Sequence, residues 1–196
     1  MEFWFGYGST YTYLTVMRIE ALAASRGVPV AWKPIKLVSL MRDLGLPKGP
    51  FLERPEKLAY MLRDLERRAA HHGLPYTRAP YPADTRQTER VGRLAAAEGW
   101  CAEFTRAVLG MNFAGGPTIG SPGALEAAIE RCGKRPAAVM DAAADPRIAA
   151  WLDEDTARAK QLGIFGSPSF VVDGELFWGD DRLEDALDFA AARRAA

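Results

Sequence analysis

The run Gly166-Ser167-Pro168-Ser169-Phe170-Val171-Val172-Asp173-Gly174-Glu175-Leu176-Phe177-Trp178 decides the fold. Two apolar stretches flank Asp173-Gly174, a dipeptide that supplies the positive φ angles of a type I′ turn, so the segment reads as a β-hairpin. Pro168 stands at the first residue of the leading strand, where a sheet tolerates a residue without an N–H. Gly179 ends the second strand. Asp180-Asp181-Arg182 then leads into an amphipathic helix carrying Leu183, Leu187 and Phe189.

Working outward, the other end of the chain completes the pattern. Phe3-Trp4-Phe5 followed by Gly6-Tyr7-Gly8 reads as a short buried strand leaving through a glycine-rich turn. From Tyr11 to Arg26, Leu14, Val16, Met17, Ile19 and Leu22 fall near helical spacing, with Gly27 placed as a C-cap. Val28 to Trp32 is a second strand, stopping at Lys33-Pro34. Strand, helix, strand makes a βαβ unit, whose two strands are expected to be parallel with a right-handed crossover.

The middle of the chain is of another kind. Helical patterns cover 56–72, 85–98, 102–111, 122–131, 136–141 and 146–162, while Pro47, Gly49, Pro50 and Pro55 mark a loop before them. Almost no two-residue apolar alternation occurs between Pro34 and Leu162, and there is no internal repeat. The order βαβ, helices, ββα is that of an α/β, thioredoxin-like fold with a large all-helical insertion. Residues 1–35 and 163–196 form the thioredoxin-like part and 36–162 the insertion.

Composition narrows the function classes. The 196 residues, 48% apolar and 26% charged, suit a globular protein with a substantial core. Lys and Arg number 25 against 25 Asp and Glu, so nothing in the overall charge calls for nucleic acid or an anionic membrane. Met1-Glu2 passes directly into an apolar run that breaks at Gly6, with no secretory n-region or cleavage site, and no stretch is long enough to span a bilayer. A cytoplasmic protein is expected. Cys101 and Cys132, far apart and outside metal-ligand spacing, are expected to be reduced and structural, and no metal site is expected.

Where a thiol oxidoreductase of this fold carries Cys-x-x-Cys, the chain has Ser9-Thr10-Tyr11-Thr12. Ser9 lies at the start of the first helix and has two readings: a plain N-cap, or a hydroxyl that donates a hydrogen bond to a bound thiolate. In a thioredoxin-like arrangement Pro168 is expected to be cis and to face that helix start, leaving the Ser167 N–H and C=O open to pair with a short peptide. Asp180-Asp181 reads as helix N-terminal carboxylates or as a pair suited to an amino group. His71 and His72, at a helix end beside Gly73, read as capping or solvent-exposed groups.

Two segments carry a family resemblance that extends over nearly the whole chain. Phe5-Gly6-Tyr7-Gly8-Ser9-Thr10-Tyr11-Thr12-Tyr13-Leu14 and the run from Gly163 through Ser167-Pro168 and Phe177-Trp178-Gly179-Asp180-Asp181-Arg182 to Leu183 resemble the 2-hydroxychromene-2-carboxylate isomerases. These are DsbA-like relatives of the kappa-class glutathione transferases. Pro55-Glu56-Lys57 and the Tyr60 to Asp64 run are similar to the same family. The chain departs from the usual pattern at Gly6, Thr10, Leu46 and Ser167.

The resemblance implies a glutathione-dependent isomerase acting on an aromatic-degradation intermediate. It implies glutathione held by Ser9, Lys57, Ser167, Pro168, Asp180 and Asp181: Ser9 on the sulfur, the Ser167 backbone on the cysteine, the aspartates at the γ-glutamyl end, Lys57 near the glycine end. It also suggests a homodimer. Two rival readings are a kappa-like transferase, in which the thiol adduct is the product, and a redox-inactive module binding a peptide or protein at Ser167-Pro168.

Overall fold

The computed structural model describes residues 1–47 and 49–195. Four strands form one sheet in the order β2-β1-β3-β4, with β1 Glu2–Phe5, β2 Ala31–Pro34, β3 Ser169–Val172 and β4 Glu175–Trp178. β1 and β2 are parallel, with Glu2 opposite Ala31, as the βαβ reading requires. β3 runs antiparallel to β1, Phe3 opposite Phe170, and the β3–β4 hairpin has Ser169 opposite Trp178. Asp173 and Gly174 have φ of 49° and 88°, both positive as a type I′ turn demands.

Alternation along β1 gives the sheet two unlike faces. Phe3 and Phe5 stack at 4.7 Å, and Phe3 stacks on Phe170 at 5.5 Å with Trp32 at its edge. That face joins a buried cluster with Tyr13, Leu14, Ile19, Leu65, Phe104, Leu109 and Leu187. Trp4 and Val171 point the other way, into a smaller cluster with Ile35, Leu40, Ala159 and Ile164.

After β1 come α1 Thr10–Val16 and α2 Ile19–Ser25, where the sequence suggested one helix. At the break the Arg18 N–H donates to the Thr15 carbonyl, and the Leu14 carbonyl is taken by the Arg18 guanidinium, which also reaches Glu184. β2 begins at Ala31 and runs through Pro34, later than expected, because pairing with β1 continues until Ile35 donates to the Phe5 carbonyl.

Between β2 and β3 lie α3 Leu37–Asp43, α4 Gly49–Leu52, α5 Pro55–His71, α6 Arg86–Glu98, α7 Cys101–Phe113, α8 Ala124–Arg131, α9 Pro136–Ala144 and α10 Pro146–Gln161. A short 3-10 turn, Asp180–Arg182, leads into α11 Leu183–Ala195. The six longer helices of the insertion fall where the apolar spacing placed them. α4 lies in a Pro- and Gly-rich stretch without such a signal; α3 is unexpected, although Leu37, Leu40, Met41 and Leu44 fall at helical spacing.

The insertion does not bury a core of its own. Met61, Val91, Phe104 and Val108 from its helices belong to the same cluster as Phe3, Phe5 and Phe170 of the sheet. Tyr7 shows how close the union is: its ring packs so tightly on α6 that a Cβ at Gly92 would lie 2.2 Å from the Tyr7 hydroxyl oxygen. That hydroxyl also hydrogen-bonds Thr105 of α7 at 3.0 Å. The turn carrying Ser9 is thus fixed on the insertion as well as on the sheet. Among the described residues no helix is long and apolar enough to cross a membrane.

Candidate functional site

The turn after β1 brings Ser9 to the start of α1 by a close backbone approach. A Cβ at Gly6 would stand 2.4 Å from the Leu37 Cβ, so only glycine fits there, and the Ser9 N–H closes the turn on the Gly6 carbonyl at 3.1 Å. Ser9 has the extended backbone of an N-cap, φ −90° and ψ 121°, yet its side chain makes no capping bond. Instead its hydroxyl donates to the Ser167 carbonyl at 2.7 Å, across 158 positions of sequence. Of the two readings of Ser9, the geometry takes it out of the capping role.

The Ser167–Pro168 bond is cis, and the loop faces the helix start. The Ser167 hydroxyl accepts from the Gly6 N–H at 2.9 Å and shares a hydrogen bond with the Thr12 hydroxyl at 2.8 Å. No acceptor for the Ser167 N–H occurs among the described residues. The Pro168 carbonyl accepts from the Gly179 N–H at 3.0 Å, which brings the turn containing Asp180 and Asp181 beside the loop.

The two aspartates are placed differently. Asp180 is buried, its Oδ2 accepting from Arg68 Nε at 3.0 Å and Nη2 at 2.7 Å, while Arg18 donates to its backbone carbonyl at 3.1 Å. Burial pushes the Asp180 carboxyl up, opposed by the Arg68 bonds and the Arg18 charge. Asp181 leaves half its side chain in solvent, with Arg182 at 2.9 Å. Its carboxylate folds back over Gly179, where a Cβ would meet Asp181 Oδ1 at 2.4 Å. Of the pair expected to meet an amino group, Asp181 is the one with a presentable carboxylate.

α5 runs along α1. The Thr10 hydroxyl reaches the Met61 sulfur at 3.5 Å and the Tyr11 hydroxyl donates to Asp64 at 2.9 Å. Lys57, one turn before Met61 on the same face, is exposed, its Nζ 5.5 Å from the Phe51 ring centroid, and it pairs with no carboxylate among the described residues. Leu46, after α3, is exposed and brings no polar side chain.

Neither cysteine belongs to this site. Cys101 opens α7 and is buried against Thr105 and Tyr7, burial pushing its thiol up to about 12. Cys132 is buried after α8, its thiol raised by the same cause. Nucleophilic thiolates need the opposite environment. Thr12, Arg18 and Arg68 were not singled out from the sequence; each acts through a partner too remote in the chain for spacing to reveal.

The pattern of the DSBA-like thioredoxin domain matches residues 1–190. The chain belongs to that family. Among its curated relatives are 2-hydroxychromene-2-carboxylate isomerases from Sphingobium xenophagum, 25% identical over 94% of this chain and 94% of the relative, and from Pseudomonas putida, 26% identical over 93% and 90%. A solved 2-hydroxychromene-2-carboxylate isomerase superposes with a TM-score of 0.85 at 26% identity, covering 99% of this chain and 95% of that one. A probable DsbA oxidoreductase from Streptomyces coelicolor shares the fold at TM-score 0.72 and 23% identity, over 98% of this chain and 90% of that one. The thioredoxin-like fold read from the hairpin and the βαβ unit thus stands, and the named isomerases match over 90–95% of their length.

Proposed function

We propose that this protein is a glutathione-dependent isomerase acting on an unsaturated aromatic keto acid of the 2-hydroxychromene-2-carboxylate type. The observation that carries the reading is the Ser9–Ser167 contact: a hydroxyl in place of a redox cysteine, 2.7 Å from the backbone of a cis-proline loop whose N–H has no acceptor among the described residues. The named relatives, isomerases over nearly their full length, support the reaction class.

The residues fit a thiol tripeptide. The Ser167 N–H and C=O offer an antiparallel pairing edge to an extended backbone, and the Asp181 carboxylate suits an ammonium group. Lys57 suits a carboxylate. Glutathione, when bound, would supply a thiolate for reversible addition to a conjugated carbon, the chemistry that makes a double bond a rotatable single bond. Ser9 stabilises negative charge on the sulfur by donating its hydroxyl hydrogen, and the buried cysteines keep disulfide exchange out of the site. No net oxidation occurs.

The test is calorimetric titration with glutathione, followed by isomerisation and conjugation assays with and without it. Saturable binding with isomerisation that requires glutathione is expected, and Ser9→Ala is expected to reduce turnover by about a hundredfold, the size typical for one charge-stabilising donor. A stable conjugate as the product would make the protein a transferase instead. Failure to bind glutathione would leave the rival peptide-binding reading.

A further inference from the structure

The hydroxyl hydrogen of Ser9 is already committed within the protein, given to the Ser167 carbonyl at 2.7 Å. That carbonyl is also half of the backbone edge on which a peptide ligand would pair. The same oxygen therefore accepts from Ser9 and is the acceptor that a ligand amide would use.

We propose that Ser167 is a latch on Ser9, opened by a ligand that brings a backbone N–H to the Ser167 carbonyl. The proposal rests on the glutathione reading. It makes Ser167 a positioning residue and makes the cysteinyl N–H of the ligand, as well as the thiol, a determinant of specificity. The carbonyl has two lone pairs, so the ligand N–H does not evict Ser9; by sharing the oxygen it weakens the Ser9 bond and lets the hydroxyl turn toward the sulfur. A thiol without that N–H leaves Ser9 where it is and gains little acidity.

The side chain of Ser167 is what aims the carbonyl. Its hydroxyl accepts from the Gly6 N–H at 2.9 Å and is joined to Thr12 at 2.8 Å, so the residue is tied to the end of β1 and to the first turn of α1 together. Gly6 is itself immobilised by Leu37 packed where a Cβ would stand. Hydrogen counting agrees with an anchor: Thr12 and Ser167 have two hydroxyl hydrogens, one lies between them, and the Gly6 N–H fills a further lone pair on Ser167. Remove the Ser167 hydroxyl and the Gly6 N–H loses its acceptor, while the carbonyl keeps the Ser9 bond and the neighbouring Pro168–Gly179 bond.

The experiment follows the ultraviolet absorbance of the bound thiolate against pH, with affinity measured in parallel, for the wild type, Ser167→Ala and Ser167→Thr. The ligands are glutathione and its depsipeptide analogue, in which an ester oxygen replaces the cysteinyl N–H. The wild type is expected to lower the thiol pKa of glutathione but not that of the ester. Ser167→Ala is expected to weaken glutathione binding about threefold to tenfold, the scale of one or two neutral hydrogen bonds, and to give back part of the pKa shift. Ser167→Thr, which keeps the hydroxyl, restores both.

Amide exchange at Gly6, read by NMR without ligand, is expected to quicken in Ser167→Ala and not in Ser167→Thr. An ester analogue whose thiol is as acidic as that of glutathione overturns the latch while leaving the glutathione reading intact, as does a Ser167→Ala protein that matches the wild type. A wild type that binds no glutathione overturns both.

Discussion

Arg68 of α5 grips Asp180 beside the cis-proline loop with two N–H donors on one carboxylate oxygen, at 3.0 and 2.7 Å. The Asp180 side chain is 4% exposed and a second guanidinium, that of Arg18, stands 3.8 Å from the same oxygen. This carboxylate braces the insertion against the turn that shapes the site.

Stability tests the brace. Cutting a buried pair on one side leaves a charge without its partner, so Arg68→Ala is expected to lower the unfolding free energy by about 3–5 kcal/mol, at the lower end because Arg18 remains. Asp181→Ala, on a half-exposed side chain, is expected to stay within about 0.5 kcal/mol. Urea denaturation of the two variants decides it. Equal, small effects would mean that Asp180 is no brace.

Gly92 provides a second test, in which helix propensity and packing disagree. Alanine in the middle of α6 is favoured by propensity over glycine by about 1 kcal/mol. A Cβ there, however, would sit 2.2 Å from the Tyr7 hydroxyl and 2.7 Å from its ring, and Tyr7 is only 2% exposed with nowhere to move. Overpacking wins, and Gly92→Ala is expected to lose about 1–3 kcal/mol. Calorimetric melting of Gly92→Ala alone and with Tyr7→Phe checks the cause, since removing the hydroxyl should return part of the loss.

Much of this arrangement was legible in the sequence, for physical reasons that differ by element. The hairpin showed because Asp173-Gly174 is a local chemical signal, and the long helices showed because each carries its own apolar stripe. α4 lies among prolines and glycines, whereas α3 packs Leu40 and Met41 into the Trp4 cluster and its short apolar spacing, Leu37, Leu40, Met41 and Leu44, was missed. Ser9 and Ser167 were both legible as candidate site residues, but not the bond between them. Asp180 looked like the twin of Asp181, because the arginines that bury it lie 112 and 162 positions away.

The last prediction concerns Glu89 on α6, a buried carboxyl behind the turn that carries Ser9. Its Oε1 accepts from the Thr85 hydroxyl at 2.7 Å, and the Thr85 methyl lies 3.7 Å from where a Cβ of Gly8 would be. Burial raises its pKa from 4.5 to about 7, against the Thr85 bond and the Lys36 charge and with a small push from Asp84. The folded protein therefore keeps a proton on Glu89 that the unfolded chain releases near 4.5. Between those values the native state binds more protons than the unfolded state, so this residue's contribution to stability falls as pH rises and levels off above about 7. The full loss is on the order of 3 kcal/mol. Glu89→Gln keeps an acceptor for Thr85 but cannot ionise. Its stability relative to the wild type is expected to grow between pH 5 and pH 8, measured by urea denaturation at both. Because the comparison subtracts every other titrating group, a pH-independent difference would show that Glu89 titrates alike in the folded and unfolded chains.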